Sequence, residues 1–391
     1  MKFAKRTELI KSSDTRELLS IIGFDEMISF AGGLPAKEGF PVEELKGIAA
    51  DVFDRYGYRA LQYGPTEGIK ELRKMIAEIN TKKHGTLINE NQVLITSGGQ
   101  QALDILGKIF IDEGDSILME EPTYFSAINA FKAYYPHIVG VETDLEGAVV
   151  GNLKASIVDY PEAKLAYYIP DYQNPTGKSW ELTRKEAVLR VHQKSGVPII
   201  EDCPYSDLQF EGEKVPSFLA LGNMKSVIHL GSFSKVFCPG FRLGYIIAEE
   251  AVIKKCVLMK QSMDLHTSNF SQVMLLEYIK THGLEANIKK IITIYKKKRD
   301  IMIQAIKDYL PGSVTYHKPK GGMFLWLDLG KGHDSRKFYK KALEEKVAFV
   351  AGDAFYLHER VSSGLRLNYT NTSDEDIIVG IKRLGSIMAT Y

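Results

Sequence analysis

A lysine between small hydroxyl residues has the clearest chemical potential in this chain. Lys235 closes the sequence Ser-Phe-Ser-Lys, which follows an apolar run, and Arg242 comes seven positions later. A lysine amine becomes a nucleophile and forms Schiff bases when nearby cations or poor solvation depress its pKa. Arg242 could supply such a cation, and it could also hold an anionic group of the same ligand. The pattern alone also permits a serine nucleophile, because Ser-x-x-Lys occurs in penicillin-binding enzymes.

A second candidate site is an anion-binding turn at residues 97–101, which read Ser-Gly-Gly-Gln-Gln. The turn follows a strand-like run and opens a helical pattern. Free backbone N–H groups and the helix dipole favour a phosphate at such a turn, and the glycines let the backbone approach closely. Turns of this kind are also common as plain structure, so this one is a weak signal by itself. Ser232, Ser234 and Arg242 would add phosphate ligands, which makes the joint signal stronger.

Polar side chains that follow other strand-like runs complete the set. Asp202 ends one such run, and Tyr205 follows three positions later. A carboxylate there could cap a helix or face solvent, or it could pair with a protonated ring nitrogen. A pyridoxal phosphate site needs a lysine and an acid partner for the pyridinium nitrogen. Tyr205 could then bind the ring hydroxyl together with Asn174, in Asn-Pro-Thr-Gly, and Tyr124 could stack on the ring.

Short apolar runs recur along the first two thirds of the chain and are typical of buried strands. They lie at residues 93–96, 116–119, 165–169, 197–200, 227–230 and 243–247. Helical patterns separate most of them, and this alternation predicts a mostly parallel sheet covered by helices on both faces. Ligands of such sheets bind beyond the carboxyl ends of the strands. We therefore expect the polar residues that follow these runs to meet in one crevice.

The remainder of the chain predicts a smaller unit. Residues 269–310 have the pattern of a long helix, and the runs at 322–327 and 365–369 have the pattern of strands. The first 40 or so residues are too few to fold alone, so they should pack on this unit or on a partner subunit. The predicted fold class is α/β, with a large domain and a smaller α+β domain built from the N-terminal segment and the C-terminal third. The predicted divisions are 1–45 for the N-terminal arm, 46–285 for the large cofactor-binding domain and 286–391 for the small domain.

Composition argues against several other classes of function. The 391 residues carry a net charge of +1 and no cluster of five basic residues, which argues against nucleic acid as a partner. The densest basic run, at 296–299, lies in a helical pattern and is interpreted as a solvated face. No apolar run approaches the ~18 residues of a membrane span. Three scattered cysteines indicate a reducing, cytoplasmic compartment.

Three other catalytic patterns fail. The Ser-Asp-Asn and Lys-Thr-Gly sequences that accompany Ser-x-x-Lys in penicillin-binding enzymes do not occur. Gly-Lys-Ser at 177–179 resembles the end of a P-loop, but Tyr172 occupies the position of the first glycine. The nine histidines are scattered without a His-Glu-x-x-His sequence, so no metal is expected.

The motifs together resemble those of the fold-type I pyridoxal-phosphate-dependent aminotransferases, class I/II. The resemblance rests on Asn-Pro-Thr-Gly from Asn174, on Asp-x-x-Tyr from Asp202, and on Ser-x-Ser-Lys followed by Arg242. It covers nearly the whole chain, from a Gly-Gly-Leu-Pro sequence near the N-terminus to Arg366. Gly-Gly-Leu-Pro, Ser-Gly-x-Gln-Gln and Glu-Asp-x-Pro-Tyr most resemble the branch of 2-aminoadipate, kynurenine and aromatic aminotransferases.

The resemblance implies a role in cofactor binding for each motif residue. Lys235 would form the Schiff base with pyridoxal 5'-phosphate and move the proton, and Asp202 would pair with the pyridinium nitrogen. Asn174 and Tyr205 would bind the ring oxygen, and Tyr124 would stack on one ring face. The residues that would hold the phosphate are Gly99, Gln100, Ser232, Ser234 and Arg242.

The resemblance also implies a substrate site and a partner subunit. Arg366 would bind the substrate α-carboxylate bidentately, while Gly33 and Asn174 would line the pocket. Arg16 resembles the mobile N-terminal arginine that binds a side-chain carboxylate in the aminoadipate enzymes, although a surface helical arginine is the alternative. Tyr63 resembles the tyrosine that reaches the phosphate of the neighbouring subunit, which implies a homodimer with shared active sites.

The implied activity is transfer of an amino group from an L-amino acid to a 2-oxo acid by a ping-pong mechanism. The donor would carry an aromatic, 2-aminoadipate-like or other large side chain, and 2-oxoglutarate is the expected acceptor. A β-lyase or decarboxylase with the same cofactor is the alternative, because Lys235 and Arg366 serve both chemistries. The effector domain of a transcription regulator is a further alternative, which the early start of the resemblance disfavours.

Overall fold

A seven-stranded sheet forms the centre of the larger part of the molecule. The computed structural model describes residues 1–9 and 27–391. The strands in these residues are β1 (Ile28–Ser29), β2 (Val93–Thr96), β3 (Ser116–Glu121), β4 (His137–Glu142), β5 (Ala166–Tyr168), β6 (Ile199–Asp202), β7 (Val227–Ser232), β8 (Gly244–Ile247), β9 (Thr315–Tyr316), β10 (Phe324–Asp328), β11 (Val347–Ala348), β12 (Val350–Ala351) and β13 (Gly364–Asn368). The order in the large sheet is β2-β8-β7-β6-β5-β3-β4, and β8 is antiparallel to both of its neighbours.

Helices separate most of these strands. The α-helices in the described residues are Arg6–Leu9, Val42–Tyr56, Tyr58–Leu61, Lys70–His84, Gly99–Phe110, Phe125–Lys132, Val150–Asp159, Leu182–Ser195, Phe218–Leu221, Glu250–Met263, Asn269–His282, Glu285–Tyr309, Ser335–Glu344 and Asp374–Met388. The 3-10 helices are Lys37–Gly39, Glu90–Gln92, Pro239–Phe241 and Gly352–Phe355. Within the part of the chain that the structure describes, no helix combines the length and the apolar character needed to cross a membrane.

The prediction of a mostly parallel α/β sheet is confirmed. Strands β3, β5, β6 and β7 pair in parallel, and all or most residues of each are buried, as expected for strands covered on both faces. Strand β4 was not predicted from the sequence. It lies at the sheet edge, and only Ile138 and Val141 of its six residues are buried, so it lacks the continuous apolar run of the central strands.

The carboxyl ends of the parallel strands converge at one edge of the sheet, as predicted. Asp202 is the last residue of β6, and Lys235 follows the last residue of β7 by three positions. Strand β8 runs in the opposite direction, so its first residue, Gly244, lies at the same edge. Arg242 precedes β8 and therefore enters this edge from the other side. The strand order thus brings the nucleophile, the acid and the cation together before any side-chain detail is considered.

A second sheet belongs to the smaller unit. Strands β12, β13, β10 and β9 form an antiparallel sheet in that order. Strand β1 pairs in parallel with β11, so Ile28 and Ser29 pack on the smaller unit, as expected for this α+β part of the fold. The division of the chain into 1–45, 46–285 and 286–391 stays a prediction.

Two helical expectations need correction. The predicted single helix over 269–310 is two helices, because Gly283 ends the first one with a φ of 69°. The interpretation of residues 296–299 as a solvated face is wrong for Lys298 and Arg299, which are buried. The Lys298 Nζ donates to the carbonyl of Thr372 (2.7 Å), and these two basic side chains lie on the core side of a 25-residue helix.

Candidate active site

The carboxyl edge of the large sheet and the smaller sheet enclose one cavity of about 240 Å³. It brings together twelve of the residues that the sequence predicted for the site: Gly33, Gly99, Gln100, Tyr124, Asn174, Asp202, Tyr205, Ser232, Ser234, Lys235, Arg242 and Arg366. Most of them follow strands of the large sheet, whereas Gly33 and Arg366 come from the unit that carries β1 and β13. The cavity is therefore formed by both units.

Lys235 faces the cavity as a weakened base. Its ammonium donates a hydrogen bond to the backbone carbonyl of Gly33 (2.8 Å). Burial lowers the pKa of Lys235 to about 8, and the guanidinium groups of Arg242 and Arg366 contribute in the same direction. The expectation that Arg242 would act on the lysine as a cation agrees with this geometry. With this pKa, about a tenth of the amine is neutral and nucleophilic at pH 7, far more than for an ordinary lysine.

Asp202 is a buried carboxylate held by a neighbouring strand. The Tyr167 hydroxyl, on β5, donates to Asp202 Oδ2 (2.7 Å). Burial raises the pKa of Asp202 to about 6, and the hydrogen bond from Tyr167 opposes that rise. Sequence reasoning missed Tyr167 because it lies within an apolar run and was counted as core. The signal available was that a buried tyrosine hydroxyl needs a partner, and β5 adjoins the strand that carries Asp202.

Arg366 carries a fully buried guanidinium with an unused hydrogen-bond donor. Its Nη1 donates to Asn174 Oδ1 (2.7 Å) and its Nη2 to the carbonyl of Ala31 (2.6 Å), while Nε has no partner in the described residues. The guanidinium lies 4.3 Å from the ring centroid of Phe324 and 5.1 Å from that of Phe355. Burial lowers the pKa of Arg366 to about 10, so the group remains charged at neutral pH. A buried cation with an unused donor is suited to bind a carboxylate.

The glycine turn, residues 97–100, forms the anion end of the cavity. Gly98 has a φ of 81°, and a Cβ added there would collide with the guanidinium of Arg242. Gly99 begins the helix Gly99–Phe110, whose first N–H groups have no acceptor within the helix. Only glycine allows the guanidinium to approach the turn this closely, so a cation and free N–H donors face the same point. This donor set suits a phosphate.

One predicted site residue within the described part of the chain, Tyr63, does not line the cavity. Tyr63 is 77% exposed, and its ring packs at 5.8 Å from that of His266. Arg16 lies outside the described residues. Sequence reasoning in turn missed six residues that do line the cavity, because their apolar types look like ordinary core: Leu103, Phe125, Ile169, Pro204, Pro239 and Phe324.

A separate polar cluster lies next to Asp202 along β6. Glu201 Oε1 accepts from the backbone N–H of Phe218 (2.6 Å), and its Oε2 is 2.9 Å from His229 Nδ1. Cys203 is the third residue of this group, whose potential metal-ligand atoms lie within 4.8 Å of one another. Because the carboxylate is already bonded to backbone and histidine, the cluster is explained as a contact between β6 and β7. It helps to fix the relative position of Asp202 and Lys235.

The family model described as aminotransferase class I and II matches residues 40–384 of this chain. The chain belongs to the class I and II aminotransferases. It is 40% identical over 386 residues to aromatic-amino-acid aminotransferase 1 of Thermococcus litoralis, covering 98% of this chain and 93% of that protein. It is 38% identical to the 2-aminoadipate transaminase of Thermus thermophilus, covering 98% of this chain and 95% of that one. The resemblance inferred from the motifs is therefore confirmed.

Solved structures of other aminotransferases share the fold. The kynurenine aminotransferase of Pyrococcus horikoshii, solved with pyridoxamine phosphate, kynurenine and kynurenic acid, has a TM-score of 0.94 and 36% identity, covering 99% of this chain and 97% of that one. The aminotransferase described here is thus a pyridoxal-phosphate-dependent enzyme. Its cavity fits the cofactor, because a lysine of lowered pKa, a buried carboxylate and an anion-binding turn all line it.

The lowered pKa of Lys235 predicts how the apo-aminotransferase reacts with its cofactor. With a pKa of about 8, roughly half of the amine is neutral at pH 8, compared with about 0.3% for a lysine of pKa 10.5. The second-order rate of pyridoxal phosphate addition, followed by absorbance, should rise with pH up to about 8 and then level off. A free lysine analogue measured in parallel should keep rising to about pH 10. A protein profile that follows the analogue would contradict the lowered pKa.

Replacing Tyr167 with phenylalanine should remove the hydrogen bond that this residue donates to Asp202. Without the hydroxyl, nothing from Tyr167 opposes the effect of burial, so the pKa of Asp202 rises further. A carboxylate of higher pKa competes more strongly for the proton, so the ring nitrogen of the bound cofactor should be protonated less often. We expect about a tenfold fall in kcat for transamination, the size of one buried hydrogen bond, and a shift in the pH dependence of the cofactor absorbance. Tyr168→Phe is the matched control, because the adjacent buried Tyr168 bonds to His192 instead. Equal effects of the two substitutions would show that Tyr167 has no special relation to Asp202.

Proposed function

We propose that this aminotransferase takes its amino group from L-amino acids with aromatic, 2-aminoadipate-like or other large side chains. We further propose 2-oxoglutarate as the acceptor, in two half-reactions that share one cavity. The names of the relatives support the donor class, since they are an aromatic-amino-acid aminotransferase and a 2-aminoadipate transaminase. The observation that carries the proposal is the convergence of Lys235, Asp202 and Arg366 on a single cavity of suitable size.

Each end of the cavity has a proposed task. Bound pyridoxal phosphate supplies a conjugated ring that accepts the electron pair left when the α C–H bond of an amino acid breaks. The glycine turn and Arg242 hold the phosphate, and Asp202 keeps a proton on the ring nitrogen. With the cofactor bound, Lys235 would supply the neutral amine for the Schiff base with its aldehyde, and the same amine would take up the proton of the substrate α carbon.

The substrate is oriented from the opposite side. Arg366 would bind the α-carboxylate with its Nη and Nε donors. Asn174, which is already bonded to Arg366, and Tyr205 line the same cavity and would bind the ring oxygen. Tyr124, Phe125 and Phe324 provide aromatic walls, which support large apolar side chains in the donor. The cations among the described lining residues are Lys235, Arg242 and Arg366, and each already has another proposed task. A 2-aminoadipate-like donor would therefore depend on Arg16, which we retain as a proposal.

The proposed assembly is a cytoplasmic homodimer with shared active sites. Tyr63 supports this proposal, because a tyrosine 77% exposed beside His266 is available to a second subunit. Leu61 and Tyr58, close to Tyr63 in the sequence, are also exposed, at 68% and 74%, and add apolar surface to this segment. Three free cysteines support a reducing compartment. Sedimentation of the holoenzyme tests the dimer.

A panel of amino donors with 2-oxoglutarate tests the activity. Formation of glutamate, pyruvate and free ammonia should be followed for aromatic, aliphatic and acidic donors. We expect glutamate, with aromatic donors among the fastest. Pyruvate and ammonia without glutamate would instead identify a β-lyase. Arg16→Ala should slow acidic donors more than aromatic ones, whereas equal losses would remove Arg16 from the substrate site.

Reduction with borohydride tests the covalent role of Lys235. Treatment of the holoenzyme should fix the cofactor to the protein, and peptide mapping should find it on Lys235. A label on another lysine, or no label while cofactor is bound, would refute the proposal.

A further inference from the structure

A buried lysine lies behind the glycine turn and does not line the cavity. The side chain of Lys260, near the end of the helix Glu250–Met263, is fully buried. Its ammonium donates to Asp264 (2.9 and 3.0 Å), to Gln101 Oε1 (2.8 Å) and to Thr267 Oγ1 (2.9 Å). A buried charge is costly unless its donors are satisfied, and this one has acceptors on three residues.

The same acceptors are bonded to the glycine turn. The Ser97 hydroxyl donates to Asp264 Oδ2 (2.9 Å), and the Gln101 amide donates to the same oxygen (2.7 Å). The backbone N–H of Ser97 donates to Gln101 Oε1 (2.7 Å). The Ser97 hydroxyl also lies 3.1 Å from Thr267 Oγ1, so Lys260 is joined, through three different side chains, to the residue that directly precedes Gly98. The ammonium fixes the backbone whose N–H groups face the anion end of the cavity.

Asp264 also places a negative charge next to the glycine turn. Burial alone would raise the pKa of Asp264, but hydrogen bonds from Lys260, Gln101 and Ser97 outweigh that effect and hold the pKa below its usual value. The carboxylate is therefore ionised at neutral pH. A phosphate monoester carries roughly −1.5 to −2 charges at this pH. An uncompensated carboxylate bonded to the glycine turn would repel it, and Lys260 supplies the compensating charge.

We infer that Lys260 is a positioning residue for the cofactor phosphate, because it fixes the glycine turn and neutralises Asp264 behind it. The inference rests on the proposed role of residues 97–100 as phosphate ligands. Phosphate binding then depends on the side chain of Lys260, although Lys260 does not line the cavity.

The test compares the affinity of the apoenzyme for pyridoxal phosphate with its affinity for pyridoxal, which has the same ring without the phosphate. Lys260→Met keeps the length of the side chain and removes its charge and donors. We expect pyridoxal phosphate to bind about tenfold more weakly, as for the loss of a charge-assisted contact, while pyridoxal affinity stays within about twofold. Equilibrium dialysis measures both without reference to turnover.

Lys185→Met is the matched control. Lys185 is also a fully buried lysine paired with a carboxylate, Asp171 (2.7 Å), but it is not bonded to the glycine turn. It should lower thermal stability in the same way without changing the ratio of the two affinities. The double variant Lys260→Met/Asp264→Asn should recover much of the lost affinity for pyridoxal phosphate, because it removes the repelling charge. If Lys260→Met folds poorly, the same two affinities can be measured for Ser97→Ala, which is a milder change to the same hydrogen-bond network.

The outcomes test the role of Lys260 separately from the proposed binding of the phosphate by the glycine turn. If the unsubstituted apoenzyme bound pyridoxal and pyridoxal phosphate equally well, the assignment of the glycine turn would fail. If it preferred pyridoxal phosphate and Lys260→Met kept that preference, the inference about Lys260 would fail. An equal loss of both affinities would make Lys260 a purely structural residue.

Discussion

Replacing Lys235 with alanine should lower transamination by about a thousandfold or more while leaving the cofactor bound. The substitution removes the amine proposed to attack the cofactor aldehyde and to carry the proton, and the described residues that line the site include no second lysine. The phosphate and ring contacts come from other side chains, so binding should persist. Steady-state assay with an aromatic donor measures the rate, and equilibrium dialysis measures cofactor affinity.

Two comparisons make this result specific. Lys235→Arg keeps a positive charge at the position but remains protonated, so it should be as inactive as the alanine variant. A small primary amine added to Lys235→Ala should restore part of the proton transfer, because it can occupy the space of the missing side chain. Turnover close to that of the unsubstituted enzyme in either variant would remove Lys235 from the mechanism.

Replacing Arg366 with methionine should lower kcat/KM for every amino acid donor by about 30- to 1,000-fold. The reason is that the guanidinium is the buried cation proposed to bind the α-carboxylate, and its loss leaves that carboxylate without a partner in a poorly solvated cavity. Arg366→Lys should recover only part of the activity, because an ammonium cannot form the bidentate contact.

An amine substrate without a carboxylate provides the control for Arg366. The unsubstituted enzyme should strongly prefer phenylalanine over phenylethylamine, whereas the methionine variant should discriminate between them weakly. Cofactor affinity measured alongside shows whether the cavity remains intact, since Arg366 also bonds to Asn174 and to the backbone of Ala31. A variant that kept the full preference for the amino acid would assign the carboxylate to another cation.

Much of the site on the large sheet could be predicted because of the direction of its strands. Asp202 and Lys235 each follow an apolar run, and parallel strands bring their carboxyl ends to one edge whatever the lengths of the helices between them. Arg366 and Gly33 could not be placed in this way. They belong to the unit of β13 and β1, and their approach depends on how that unit packs against the large sheet. Only the family resemblance indicated them.

Buried polar contacts were the least predictable part of the structure. Tyr167 looks like a core residue in the sequence, and its role depends on the order of β5 and β6. Lys298 and Arg299 were assigned to solvent because basic residues are rarely buried. Each of these two residues, like Lys260, has an acceptor far away along the chain, where periodicity gives no information: Thr372, Pro319 and Gln101, respectively.

Besides burial, two cations weaken Lys235 as a base, and they come from different parts of the fold. Arg242 lies on the connection between β7 and β8 that also carries the lysine, whereas Arg366 lies on β13. On the proposed assignment, the cofactor phosphate would compensate the first charge and a substrate carboxylate would compensate the second. The ammonium of Lys235 would then be most acidic before either anion binds, and the proton affinity of the amine would increase with each binding event. Recognition of the substrate would thus strengthen the base through electrostatics, at the step where the α-proton must be removed.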